Sequence, residues 1–213
     1  MSVWAIVLGG GSGARFGGAK QFADLGGLSL LGRSVAAAGT VAAGVVVVVP
    51  DGVRPPGLPE LDAKLLVVAG GAHRAASVRA GLAAVPAEAE VIVVADAAHP
   101  LAAPALFARV VAAVRDDGAG GALPGLPLTE VIATVDTAGN RIGGIPREGN
   151  VLVQMPHAFR ADLLRAAHAG GVDGVEDSAM VAALGARIAV VPGDPVNLHV
   201  TTPDELALAR RLL

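Results

Sequence analysis

The stretch LGGGSGARFGGAKQF, Leu8 to Phe22, follows directly on the apolar run VWAIV and decides how the rest of the chain is read. It holds six glycines, one arginine and one lysine. A glycine loop beyond the carboxyl end of a first buried strand lets backbone N–H groups approach phosphate closely. Two familiar phosphate-binding patterns are absent. No G-x-x-x-x-G-K-[ST] occurs, and no strand ending in Asp or Glu follows within the roughly twenty residues that a dinucleotide site requires. What remains is the loop itself, Gly9, Gly10, Gly11, Ser12 and Gly13, with Arg15 and then Lys20 behind it. Arginine offers a planar fork and lysine a point charge, and together they can neutralise a triphosphate and its leaving pyrophosphate. A glycine-rich β-to-α turn with two solvated cations accounts for the same spacing, so the loop alone leaves both readings open.

The rest of the composition narrows the partners. At 213 residues the chain suits one domain, 1–213. Hydrophobic residues make up 53% and charged residues 16%, enough to bury a large core of Ala, Val and Leu. Aromatics are 2% of the chain and net charge is −3, which argues against base-stacking platforms and against a basic field for DNA or RNA. With no cysteine there is no disulfide, thiol chemistry or zinc–thiolate site, and any metal must use oxygen or imidazole ligands. The opening MSVWAIVLGGG lacks a basic leader, and its apolar run is too short to span a bilayer. The expectation is a cytoplasmic protein with no membrane partner.

Continuous apolar runs at 3–8, 45–50, 65–70, 90–96 and 187–193 suit parallel strands buried on both faces. Helical patterns lie between and beyond them, around 30–38, 74–84, 104–116, 161–168, 177–184 and 203–212. This alternation predicts an α/β fold with a Rossmann-like, doubly wound, mostly parallel sheet. Residues 123–153 break the rhythm with two β-prone arms around DTAGN, read as a protruding hairpin. A lone hairpin is marginal in water, so a second copy of the chain is its simplest support.

The glycine loop resembles the signature of sugar-nucleotide and polyol-phosphate nucleotidyltransferases. GGAHRAASVRAGL (70–82) and VVADAAHP (93–100) resemble one branch, the 2-C-methyl-D-erythritol 4-phosphate cytidylyltransferase family. PREGNVLVQMPHAF (146–159), VEDSAMV (175–181) and NLHVTTPDEL (197–206) follow in that family's order. A molybdopterin nucleotidyltransferase shares the opening motif, but the arm and the last of these segments favour the methylerythritol branch. The resemblance implies CTP as substrate, Mg²⁺ as cofactor and a homodimer joined through the arm. It further implies a substrate phosphate oxygen that attacks the α-phosphorus and expels pyrophosphate. Carried over by motif position, Arg15 and Lys20 are catalytic, Gly70, Gly71 and Ser77 read cytosine together with the glycine loop's grip on phosphate, and Asp96 holds the metal.

The acceptor half departs from the pattern. The family's arginine is His99, its arm threonine and lysine are Val131 and Ala133, its T-P-Q reads Met155, Pro156, His157, and its late lysine is His199, while Arg147 keeps the arm arginine. Ala19 and Ala72 also replace family residues. Neutral histidines hold a phosphate dianion less well than fixed cations. The expectation is therefore a cytidylyltransferase with an altered phosphorylated acceptor. The alternatives are the ordinary family enzyme and a non-catalytic nucleotide-binding descendant. If His99 and His199 approach Asp96, with His157 nearby, a Zn²⁺ or Mn²⁺ site becomes conceivable, but simple replacement by a smaller hydrogen-bonding group is the plainer reading.

Overall fold

The computed structural model describes residues 2–11, 13–171 and 176–213. Its elements run β1 Val3–Leu8, β2 Asp24–Leu25, β3 Leu28–Ser29, α1 Leu30–Gly39, β4 Gly44–Val49, β5 Lys64–Ala69, α2 Arg74–Ala84, β6 Val91–Asp96 and α3 Pro104–Arg115. Then follow β7 Gly121–Pro127, β8 Ile132–Val135, β9 Arg141–Ile145, β10 Val151–Val153, β11 His157–Arg160, α4 Ala161–Ala169, α5 Asp177–Ala182, β12 Ile188–Pro192 and α6 Pro203–Arg211.

The main sheet has the order β10-β7-β11-β6-β1-β4-β5, with β12 also pairing β7. The five apolar runs of the sequence are strands β1, β4, β5, β6 and β12. The first four pair in parallel as one block, and β12 runs parallel to β7. Strands β7, β10 and β11 are not among those runs, and they join through antiparallel pairs. Their residues are short and glycine- or proline-bearing or lack a β-branched run, GALPGLP, VLV and HAFR, so nothing long and valine-rich announces them.

Side chains on β1 alternate between two cores, as a strand buried on both faces requires. Val3, Ala5 and Val7 pack with α1 and α3, whereas Trp4 and Ile6 pack with α2, α4 and α5. The parallel block thus ends in one line of loops. In that line Leu8 stands beside Asp96 on β6 and beside Val48 on β4.

The arm is narrower than residues 123–153. Its outer stretches, β7 and β10, pair with each other inside the main sheet, and the free hairpin is β8 with β9. The DTAGN turn forms as expected. Asp136 Oδ1 accepts from the N–H groups of Ala138 and Asn140, at 3.0 and 2.8 Å, and Gly139 takes φ +86°. Val131, Val135, Ile142 and Ile145 stand exposed on the hairpin, with Ile142 at 65%. Among the described residues no helix is long and apolar enough to cross a membrane.

Candidate functional site

The glycine loop turns back on itself immediately after β1. The Gly13 carbonyl accepts from Phe16, Gly17 and Gly18 N–H at 2.8, 3.0 and 3.3 Å, closing a tight turn. Gly13 has φ +65°, and a Cβ there would lie 1.7 Å from the Gly18 oxygen, so only glycine closes this turn. The turn exposes Arg15 and delivers Lys20 to the mouth of the sheet. Lys20 Nζ donates to the Val200 carbonyl at 2.8 Å, which ties the loop to the segment before α6. Burial, followed by the nearby Arg15 charge, pushes the Lys20 pKa down, while Asp96 and Glu205 oppose that shift.

A cavity of about 400 Å³ opens where the two loops meet, lined by Gly9, Gly10, Gly11, Lys20, Gly71, Arg74, Ser77 and Asp96 among others. All of these except Arg74 are residues that the sequence singles out, so one cavity gathers most of the residues expected to meet the nucleotide. The Gly70–Gly71 turn is held by Ser77, whose Oγ accepts from Gly71 N–H at 3.1 Å. A Cβ on Gly71 would lie 2.3 Å from the Ala76 Cβ, so the loop can lie flat on α2 only as glycine. Ser77 thus shapes the turn by its own hydrogen bond. Ser12 lies outside the described residues.

Asp96 ends β6, and burial raises its pKa, with Arg74 and Lys20 pulling the other way. A carboxylate so placed ionises readily only beside a cation. Mg²⁺ is commonly held by one or two carboxylates together with substrate phosphates, and one half-buried carboxylate that shares the cavity lining with a glycine loop suits that mode. Among the described residues no group of three or more His, Asp or Glu side chains is disposed to hold a metal ion. The Zn²⁺ or Mn²⁺ site considered from the sequence is thus not formed there.

None of the residues that the sequence assigns to the acceptor is in the lining of this cavity. His99 follows Asp96 in a turn, with its N–H donated to the Asp96 carbonyl at 3.1 Å. Its ring stacks on His199, and burial followed by the neighbouring His199 pushes its pKa down to about 3. Met155 and His157 are buried, and His157 Nδ1 lies 3.6 Å from Glu176 Oε1. Burial again lowers the His157 pKa, to about 4. Val131 is 71% exposed on the arm, and Arg147 donates to the Thr129 carbonyl at 3.3 Å, so in one chain both stay on the arm.

Several supporting residues escape sequence reading. Gln154 Nε2 donates to the carbonyls of Asp194 and Asn197 at 2.8 and 3.0 Å, and its Oε1 accepts from Asp194 N–H at 2.9 Å. Asn197 Nδ2 in turn donates to the Met155 carbonyl at 2.7 Å, clamping that segment. Arg74 bonds Asp177, which also bonds His168. The capping box of α6 is readable as T-x-x-E: Thr202 and Glu205 satisfy each other's backbone and fix the loop that carries His199.

Comparison with known proteins identifies the family and the fold. The family described as IspD, 2-C-methyl-D-erythritol 4-phosphate cytidylyltransferase, matches residues 3–213. A Rhodococcus opacus protein of that name is 42% identical over 99% of this chain and 95% of its own. A bifunctional IspD/IspF enzyme of Clavibacter michiganensis is 40% identical over 98% of this chain, which spans about half, 53%, of that longer enzyme. The crystal structure of the cytidylyltransferase from Thermus thermophilus superposes with a TM-score of 0.82 at 33% identity, covering 97% of this chain and 96% of that one. Near-full-length relatives at about 40% identity carry the ordinary enzyme's name. An altered acceptor, the main expectation from the substitutions, is not supported by them, and the ordinary activity fits better.

Proposed function

The chain belongs to the 2-C-methyl-D-erythritol 4-phosphate cytidylyltransferase family of nucleotidyltransferases, and we propose that it transfers CMP from CTP to that acceptor, releasing pyrophosphate. The observation that carries this reading is the single cavity shared by the glycine loop, Lys20, Ser77 and Asp96. Its chemistry is displacement at phosphorus, which depends on position and charge neutralisation more than on covalent help.

In this reading the backbone N–H groups of Gly10, Gly11 and Gly13 cradle the triphosphate, while Gly9, whose N–H is donated to the Val48 carbonyl at 2.7 Å, anchors the loop to the sheet. Lys20 and Arg15 then balance charge that builds on the α-phosphate and on the departing pyrophosphate. Gly70 and Gly71, with the turn set by Ser77, receive the cytosine edge. Asp96 would hold Mg²⁺, which would supply further neutralisation of the phosphates. His99, Met155 and His199 face the acceptor, and Val131 and Arg147 come from the arm of a second copy. The exposed apolar residues of that arm support a homodimer, each copy being one domain over 1–213.

Pyrophosphate release from CTP, followed with methylerythritol phosphate and with a panel of other polyol phosphates, tests the proposal. Turnover should require methylerythritol phosphate and a divalent cation. Turnover with another member of the panel alone would contradict it.

A further inference from the structure

We propose that Arg74 grips the phosphate of the acceptor, and that Asp177 and His168 are positioning residues that aim it. This assignment rests on the functional reading above. Arg74 is the first residue of α2 and lines the cavity. Its Nη1 donates to Asp177 Oδ2 at 2.7 Å, and the other Asp177 oxygen accepts from His168 Nε2 at 3.0 Å. Exposure falls along the chain of bonds, from 31% of the Arg74 side chain to 1% of Asp177 and 2% of His168. The anchor is buried while the guanidinium head keeps access to the cavity. Asp177 takes one of five guanidinium donors, so the fork retains capacity for a planar, two-bond grip on an anion.

The location selects the anion. Arg74 shares the cavity lining with Asp96 at the end of β6, and its partner Asp177 directly follows Glu176, whose Oε1 lies 3.6 Å from His157 Nδ1 in the segment that carries Met155. It therefore stands at the border between the nucleotide side and the acceptor side. On the acceptor side of one chain, positions 99 and 199 hold histidines and position 133 holds alanine, and Arg147, bonded to the Thr129 carbonyl, reaches the site only from the arm of a second copy. A phosphate monoester carries about −1.5 to −2 charge at pH 7 and needs a permanent cation, which a neutral His99 does not provide. Arg74 is always charged, and its ion pair to a buried carboxylate orients it without occupying the whole fork.

Steady-state kinetics of wild type, Arg74→Gln, Arg74→Lys and Asp177→Asn, alongside CTP affinity measured without acceptor, test the assignment. Loss of a charged hydrogen bond to phosphate corresponds to about tenfold to a hundredfold. Arg74→Gln should raise the KM for methylerythritol phosphate by that much while the Kd for CTP stays within about threefold. Arg74→Lys keeps a charge near Asp177 without the fork and should show a smaller rise in the same KM. Asp177→Asn should follow the same pattern, and an unchanged CTP affinity will certify that each variant has folded. Should the acceptor KM stay put in folded variants, or rise in step with CTP Kd, the assignment of Arg74 is overturned alone. If wild type does not use methylerythritol phosphate, the functional reading falls and takes this assignment with it.

Discussion

The imidazole rings of His99 and His199 stack face to face, 4.7 Å between centroids and 7° from parallel. Two imidazolium ions would repel in that arrangement, so the stack favours the neutral form. Burial, with His199 as a second cause, keeps His99 neutral down to about pH 3, and burial keeps His157 neutral to about pH 4. In the unfolded chain each takes up a proton below about pH 6.5. Across the window between, the unfolded state binds more protons, so stability rises with pH up to about 6.5 and these groups add no further slope above it. The melting temperature should fall between pH 7 and pH 5, and His99→Asn combined with His157→Gln should flatten that fall. An equal slope in the double variant would contradict this origin.

In the proposed mechanism Lys20 and Arg15 carry the charge work at the glycine loop. Lys20→Ala and Arg15→Ala should each lower kcat by about a hundredfold to a thousandfold, the usual effect of removing one group aimed at developing charge. Circular dichroism should be unchanged for Arg15→Ala, since that side chain is exposed. Full turnover by either variant would remove that residue from the mechanism.

Gly13→Ala tests the loop geometry without removing any charge. Alanine at φ +65° costs about 1–2 kcal/mol before the clash with Gly18 is counted. The loop must open to relieve it, so CTP affinity should drop at least about tenfold while the melting temperature changes little. Unaltered CTP affinity would show that the turn is not part of the phosphate cradle.

Gln154, just after β10, is tied to the 194–197 segment through three hydrogen bonds. Gln154→Ala strands those buried partners, and at about 1 kcal/mol per bond should destabilise the protein by about 2–4 kcal/mol in urea titration. Because Asn197 also clamps Met155, the acceptor KM should rise as well.

The arm should hold two copies together. Ile142→Lys with Val135→Lys adds two charges to its exposed apolar face and should shift sedimentation from dimer to monomer. A wild-type chain that sediments as a monomer at micromolar concentration would remove the arm from that role.

Much of this is legible in order along the chain. The runs that form β1, β4 and β6 are long, valine-rich and buried on both faces, so period and composition identify them together. Gly9 to Gly13, Lys20 and Asp96 are legible because each lies at or soon after the end of a strand. Strands β7, β10 and β11 are not, since their pairing depends on partners tens of residues away rather than on local propensity. The Arg74–Asp177 pair spans 103 positions, and nothing in either local sequence marks it. His99 and His199 stand out in the sequence as replacements, but their stacking follows only from the fold that brings the loop after β6 against the loop before α6.

The central claim is that CMP is joined to methylerythritol phosphate in the cavity between the glycine loop and Asp96. Phosphorus NMR of the purified protein with CTP, Mg²⁺ and methylerythritol phosphate reads that bond directly. The account predicts that the acceptor's monoester signal disappears as the paired signals of a diphosphate ester and of free pyrophosphate grow together. A monoester signal that persists unchanged, with CTP intact beside it, would contradict the account.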